Sequence, residues 1–136
     1  MRKIRLFAFL GLLACTSLTT AQDSDMEIRA RTLVSDYFAA LMQGDTQTVL
    51  SLIGGEFLSS RQQLLENPEY SSYLSNNYLD ASATVTGSSQ VAANRVEVDV
   101  SIQKSPEEQF AIVLLVESMD TASEILLIID ERDSAN

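Results

Sequence analysis

The sequence predicts an α+β domain, with helices from its first half packed on one face of an antiparallel sheet built from its second half. Three observations carry that reading. Thr32 to Ile53 shows helical periodicity on both sides of a Gly44-Asp45 break. Val91 to Gln103 alternates apolar and polar residues with a period of two. The helical segments all precede the strands, and the strands are joined by short turns, which favours a meander over βαβ units.

Residues 1–21 read as a secretory signal. Arg2, Lys3 and Arg5 make a basic start, Leu6 to Ala14 is an uncharged apolar run, and small and hydroxyl residues lead to Ala21. The run is too short for a membrane span. Two processing routes fit. Cleavage after Ala21, with Thr19 three places before the cut, releases a soluble protein starting at Gln22. Leu12-Leu13-Ala14-Cys15 instead resembles a bacterial lipobox, with residues 1–14 removed and Cys15 lipidated; Leu13 is bulkier than is usual there. The first route gives a periplasmic or secreted domain, the second a membrane-anchored lipoprotein. Both place residues 22–136 outside the cytoplasm, with no transmembrane span.

Those 115 residues suffice for one domain and one core. Cys15 is the only cysteine, so soluble processing leaves no thiol to oxidise. Without Arg2, Lys3 and Arg5, six basic residues face 19 acidic ones, a net charge of −13. Such a surface repels nucleic acid and anionic lipid. The acids are scattered, as solubility requires, and they also suit a basic protein partner.

Each element has a local cause. Ser24 or Asp25 caps the first helix, whose broad apolar face carries Leu33, Val34, Tyr37, Phe38, Ala40 and Leu41. Gly44 closes that helix in the left-handed conformation, and Asp45 caps the next. Val49, Leu50, Leu52 and Ile53 give the second helix its apolar side, and Gly54-Gly55 is expected to end it. Ser60-Arg61-Gln62-Gln63 matches a capping box opening a short helix with Leu64 and Leu65. Asn67-Pro68-Glu69 opens another, with an N-cap, a proline at the first helical position and an acid favoured by the dipole. Tyr70, Tyr73, Leu74 and Tyr78 lie near one side of it, and Asn76-Asn77 weakens its end.

Ala81 to Thr86 reads as the first strand and Gly87-Ser88-Ser89 as a turn. Val96, Val98, Val100 and Ile102 then point one way, and Glu97, Asp99, Ser101 and Gln103 the other. Lys104 to Glu107 turns the chain. Phe110 to Val116 is apolar throughout, so this strand is expected to be covered on both faces. Met119 to Ser123 turns again, Ile125 to Ile129 is the last strand, and Asp130 to Asn136 reads as a frayed polar tail.

The order of elements resembles the nuclear transport factor 2-like superfamily. The resemblance is sharpest in Tyr37-Phe38-Ala39-Ala40-Leu41-Met42-Gln43-Gly44-Asp45 followed by Leu50-Ser51-Leu52-Ile53. It implies a strongly curved sheet of about four strands wrapped around the first helix, a conical cavity between them, and dimerisation through the sheet. It speaks more for fold than for activity, since the superfamily holds isomerases, dehydratases, cyclases and proteins with no catalytic role.

The residues from Gln22 onward contain no His and no Cys. That excludes Ser-His-Asp and Cys-His catalysis and a zinc site of the His/Cys kind. No glycine-rich phosphate loop is present, Asp130, Glu131 and Asp133 lack a glycine-turned loop to hold a hard cation, and no cofactor or metal is called for. The superfamily's isomerases use a tyrosine on the first helix as oxyanion donor beside a carboxylate base. The resemblance puts Tyr37 in the tyrosine's place. Counting without gaps from Asp45, the carboxylate's place falls on Arg61, which stays protonated, and Glu56 is nearby but out of register. Asp99 is expected to face away from the core.

Tyr37, Phe57, Tyr70, Tyr73, Tyr78 and Phe110 are the candidate cavity lining; each also serves as ordinary packing, but an aromatic wall with few polar anchors suits an apolar small molecule. Three functions fit. The first is a non-catalytic exported module binding a ligand or a protein. The second is a small isomerase or lyase using Tyr37 and an acid such as Glu56 on an apolar substrate. The third is a binder of a basic protein.

Overall fold

The computed structural model describes residues 24–120 and 125–134. Helices α1 (Asp25–Gln43), α2 (Thr46–Leu52), α3 (Gly55–Leu65) and α4 (Pro68–Asn77) precede strands β1 (Ser82–Ala92), β2 (Arg95–Ser105), β3 (Glu108–Ser118) and β4 (Leu126–Asp133). The strands form one antiparallel meander, β1-β2-β3-β4, curved around the helices. This is the α+β arrangement that the sequence implied. The signal segment, its cleavage site and Cys15 lie outside the described residues, as does the turn at 121–123. Among the described residues no helix is long and apolar enough to cross a membrane.

The helix α1 owes its limits to its two ends. Ser24 Oγ accepts the Glu27 amide at 3.1 Å while the Glu27 carboxylate accepts the Ser24 amide at 2.9 Å, a reciprocal cap. At the other end Gly44 turns left-handed at φ 71°, and the Asp45 amide returns to the Ala40 carbonyl at 2.9 Å. A side chain at Gly44 would also strike the backbone carbonyl of Ser71, whose hydroxyl donates to the Gly44 carbonyl at 2.5 Å. Glycine is therefore required twice there, for its dihedral and for the approach of α4. Asp45 begins α2, accepting the Thr48 amide and hydroxyl.

The inner face of the sheet supplies the complementary surface. Val96, Val98, Val100 and Ile102 of β2 are buried, as are Ile112, Leu114 and Val116 of β3 and Ile128 of β4, all in one core with Met26, Ala30, Val34, Tyr37 and Phe38 of α1. Burying each large aliphatic side chain contributes about 1.5–3 kcal/mol. The outer face is mostly polar. Arg95 pairs with Glu117 at 2.9 Å and Arg132 with Glu97 at 2.6 Å.

Five local expectations are corrected. Gly54-Gly55 does not end α2. Ile53 leaves the helix extended and bridges Ile128, and the Gly54 amide donates to the Ile128 carbonyl at 2.9 Å. The two glycines open α3, because a Cβ on Gly54 would sit 2.8 Å from Leu127 and Gly55 adopts φ +61°. The capping box expected at Ser60 is consequently absent: Ser60 is mid-helix and its hydroxyl donates to the Phe57 carbonyl at 3.0 Å.

The turn expected at Gly87 is instead part of β1. A bulge between Val85 and Gly87 absorbs the irregularity, and the chain reverses after Ala92. The strand β3 is covered on both faces only in its middle: Val113 is buried on the outer side, whereas Phe110 and Ala111 are exposed. Finally, Asp130 to Asp133 is not a tail. Those residues pair with Leu115 to Ile112 of β3, since ladder hydrogen bonds depend on backbone and not on side-chain polarity.

Candidate functional site

A β-bulge decides which acid enters the cone. Ile128 pairs with Val116, and Asp130 pairs with Leu115, so Ile129 is one residue too many. Beyond the bulge Glu131 stands opposite Leu114, on the buried face of the sheet. Strict alternation from Ile128 would have turned Asp130 inward and Glu131 outward. The helix α3 approaches the same place from the other side. Because it starts at Gly55, Phe57 and Arg61 lie one turn apart on one face, and the Arg61 guanidinium lies 4.3 Å above the Phe57 ring.

Arg61 and Glu131 meet with their nearest N and O atoms 3.6 Å apart, their side chains 42% and 27% exposed. That separation is outside hydrogen-bonding distance, so the pair is loose. Behind it lies a cavity of about 90 Å³ whose lining includes Tyr37, Tyr70, Tyr78, Phe110, Arg61 and Glu131. Tyr37 is 1% exposed, and its hydroxyl makes no hydrogen bond within the described residues. Its ring meets Phe38 edge-on at 5.0 Å and Phe57 at 6.4 Å.

The electrostatics follow from burial. Desolvation pushes the Glu131 carboxyl above the usual carboxylate range; Arg61 draws it back, and Asp133 and Asp130 add to the rise. Desolvation likewise raises the Tyr37 phenol, with the Glu131 charge adding and Arg61 opposing. Tyr78 and Tyr70 are raised by burial first and by neighbouring phenols second. All three stay protonated at neutral pH and remain hydrogen-bond donors.

The larger concavity is outside. A groove of about 700 Å³ runs between α3 and strands β3 and β4. Phe57, Leu115, Met119 and Ile129 supply its apolar surface, and Glu56, Glu117, Asp130 and Glu131 its carboxylates. Arg61 and Glu131 line both the groove and the inner cavity, so they are the threshold between them.

The predicted residues divide accordingly. Tyr37, Tyr70, Tyr78 and Phe110 are brought together around the inner cavity. Phe57 lines the groove and backs Tyr37, while Glu56 lines the groove and not the Tyr37 cavity. Tyr73 is 56% exposed, stacked on Tyr70 at 5.5 Å, and belongs to neither. Asp99 is exposed on the outer face, as the alternation required. Sequence reasoning missed Glu131, the carboxylate beside Tyr37, because its segment was read as a tail. It found Arg61 at the site but not its partner. The four consecutive charges Asp130, Glu131, Arg132 and Asp133 show no alternation that would have marked the inward acid.

Among the described residues no group of three or more His, Cys, Asp or Glu side chains could hold a metal ion. No protein-family model matches the chain, and comparisons with curated proteins and with solved structures returned no match.

Proposed function

We propose that the protein is an exported, non-catalytic binding module of the nuclear transport factor 2-like kind, working through the groove at the threshold of its cone. One observation carries this reading: the inner cavity holds about 90 Å³ and the groove about 700 Å³. The first has room for about three waters at ~30 Å³ each. Small-molecule pockets usually need about 300–1,000 Å³, which only the groove offers of the two. The element order and the Tyr37 to Asp45 stretch support the family reading. The basic start and apolar run of residues 1–21 support export.

A thermal-shift screen of apolar small molecules tests the reading. A ligand of the folded state at 100 times its Kd adds about 2.7 kcal/mol, so occupation of the cone would be plain. No stabilisation that Tyr37→Trp abolishes is expected. A molecule that raises the melting temperature of the wild type but not of Tyr37→Trp, which fills the cavity, would place the working site inside and overturn the proposal.

The second reading, a small isomerase or lyase, draws on the Glu131 carboxylate entering the cavity of Tyr37. It requires that Tyr37→Phe and Glu131→Gln each fail to complement a strain lacking the gene while remaining folded by circular dichroism. Full complementation by both variants ends it.

A further inference from the structure

The groove's charge is not balanced from within. Of its four carboxylates, Glu117 is paired with Arg95 at 2.9 Å across the sheet. Glu56 and Asp130 make no ion pair among the described residues, and Glu131 has only the loose contact with Arg61. Among the described residues Arg61 is the one cation lining the groove. Lys104 lies 5.3 Å above the Tyr78 ring and does not line the groove. Between the carboxylates the walls are apolar, through Leu115, Met119 and Ile129.

Behind the threshold a second observation points the same way. The Tyr37 side chain is 1% exposed and its hydroxyl has no hydrogen-bond partner among the described residues, and it lines a cavity walled also by two further tyrosine rings and Glu131. An unpartnered phenol oxygen, aromatic faces and a carboxylate together favour a cation: the carboxylate and phenol oxygens accept its N–H bonds, and the rings attract its charge. Arg61 already sits at that place, held too far from Glu131 to donate to it.

We infer that the groove receives a basic segment of a protein partner, one of whose lysine or arginine heads displaces Arg61 at Glu131 while flanking apolar side chains lie on Leu115, Met119 and Ile129. Glu56 and Asp130 take the adjoining cations. This rests on the groove-binding reading above and names its partner class. The net charge of −13 beyond residue 21 brings such a segment in and makes its capture salt-dependent.

The test uses a fluorescein-labelled Gly-Lys-Leu-Lys-Val-Lys-Gly peptide and its glutamate counterpart, followed by anisotropy at low and physiological ionic strength. The wild type should bind the lysine peptide alone, and more weakly as salt rises. Glu56→Gln with Asp130→Asn should weaken binding about tenfold, whereas Asp36→Asn with Glu69→Gln, the same charge change outside the groove, should weaken it less than about twofold. Arg61→Ala should tighten binding, and by more than Arg132→Ala, which removes an equal charge from the outer face. Equal losses in the two double variants, equal effects of the two arginine variants, or no binding of the lysine peptide would overturn the inference. With a flat small-molecule screen, such a result leaves the groove-binding reading standing for a partner of other chemistry.

Discussion

Two neighbouring rows across the inner face of the sheet show how the molecule divides packing from chemistry. Val96, Val116 and Ile128 stand side by side in one row, and each is 0% exposed. In the next row, Val98 and Leu114 are just as buried, but the third place belongs to Glu131. The first row is an apolar core that excludes water. The second begins the same way and ends in a carboxylate whose counter-charge is only partly in place. The fold tolerates the difference because the change occurs on the edge strand, where Glu131 keeps 27% of its side chain in contact with solvent.

The largest expected effect lies in the apolar part. Leu114→Ala should cost about 2–5 kcal/mol of unfolding free energy in urea titrations, the range for emptying a closed core site. A loss under about 1 kcal/mol would show that the row is loosely packed and that the contrast with Glu131 is false. Next comes Tyr37, similarly buried but with a hydroxyl that has no hydrogen-bond partner among the described residues. Tyr37→Phe should change stability by less than about 1 kcal/mol in either direction, because no intramolecular hydrogen bond is lost. A larger loss would place the hydroxyl in the structural part of the core.

The smallest effect is a pH dependence. Burial raises the Glu131 carboxyl in the folded state, with Arg61 opposing and Asp133 and Asp130 reinforcing; Tyr37 and Tyr78, also facing it, stay neutral. The folded protein therefore holds that proton to higher pH than the unfolded chain, whose glutamates ionise near ~4.3. Where the folded state binds more protons, stability falls as pH rises. Relative to Glu131→Gln, the wild type should lose stability between that ordinary value and the raised one, and stay level above it. Urea midpoints of both proteins across pH 4 to 7 read the gap directly. A gap that does not change with pH would mean that Glu131 is not desolvated.

Most of the fold was legible because local chemistry and tertiary structure agree. Gly44 and Asp45 have the residues their dihedrals and hydrogen bonds demand, and Asn67-Pro68 opens α4 with the Asn67 side chain accepting the Glu69 amide at 3.0 Å. The clean alternation of β2 survives unchanged in its burial. What was not legible depends on partners distant in sequence. Gly54-Gly55 looks like a helix stop unless the approach of Leu127 is known. Gly87 looks like a turn unless its pairing with Asp99 is known. Of the site, Tyr37 and its aromatic company could be read from helical spacing. Glu131 could not, since nothing in Ile128-Ile129-Asp130 marks which residue leaves the ladder.

That surplus residue has a consequence for how the protein tolerates change. Excising Ile129 would straighten β4 yet leave Glu131 facing Leu114, because every pairing beyond it is already set as though Ile129 were not there. Lengthening the strand by one residue elsewhere before Glu131, with Ile129 kept, would swap the resident acid for its shorter neighbour. Loss of a residue at this edge therefore keeps the inward-facing acid, whereas a gain would replace it without disturbing the architecture.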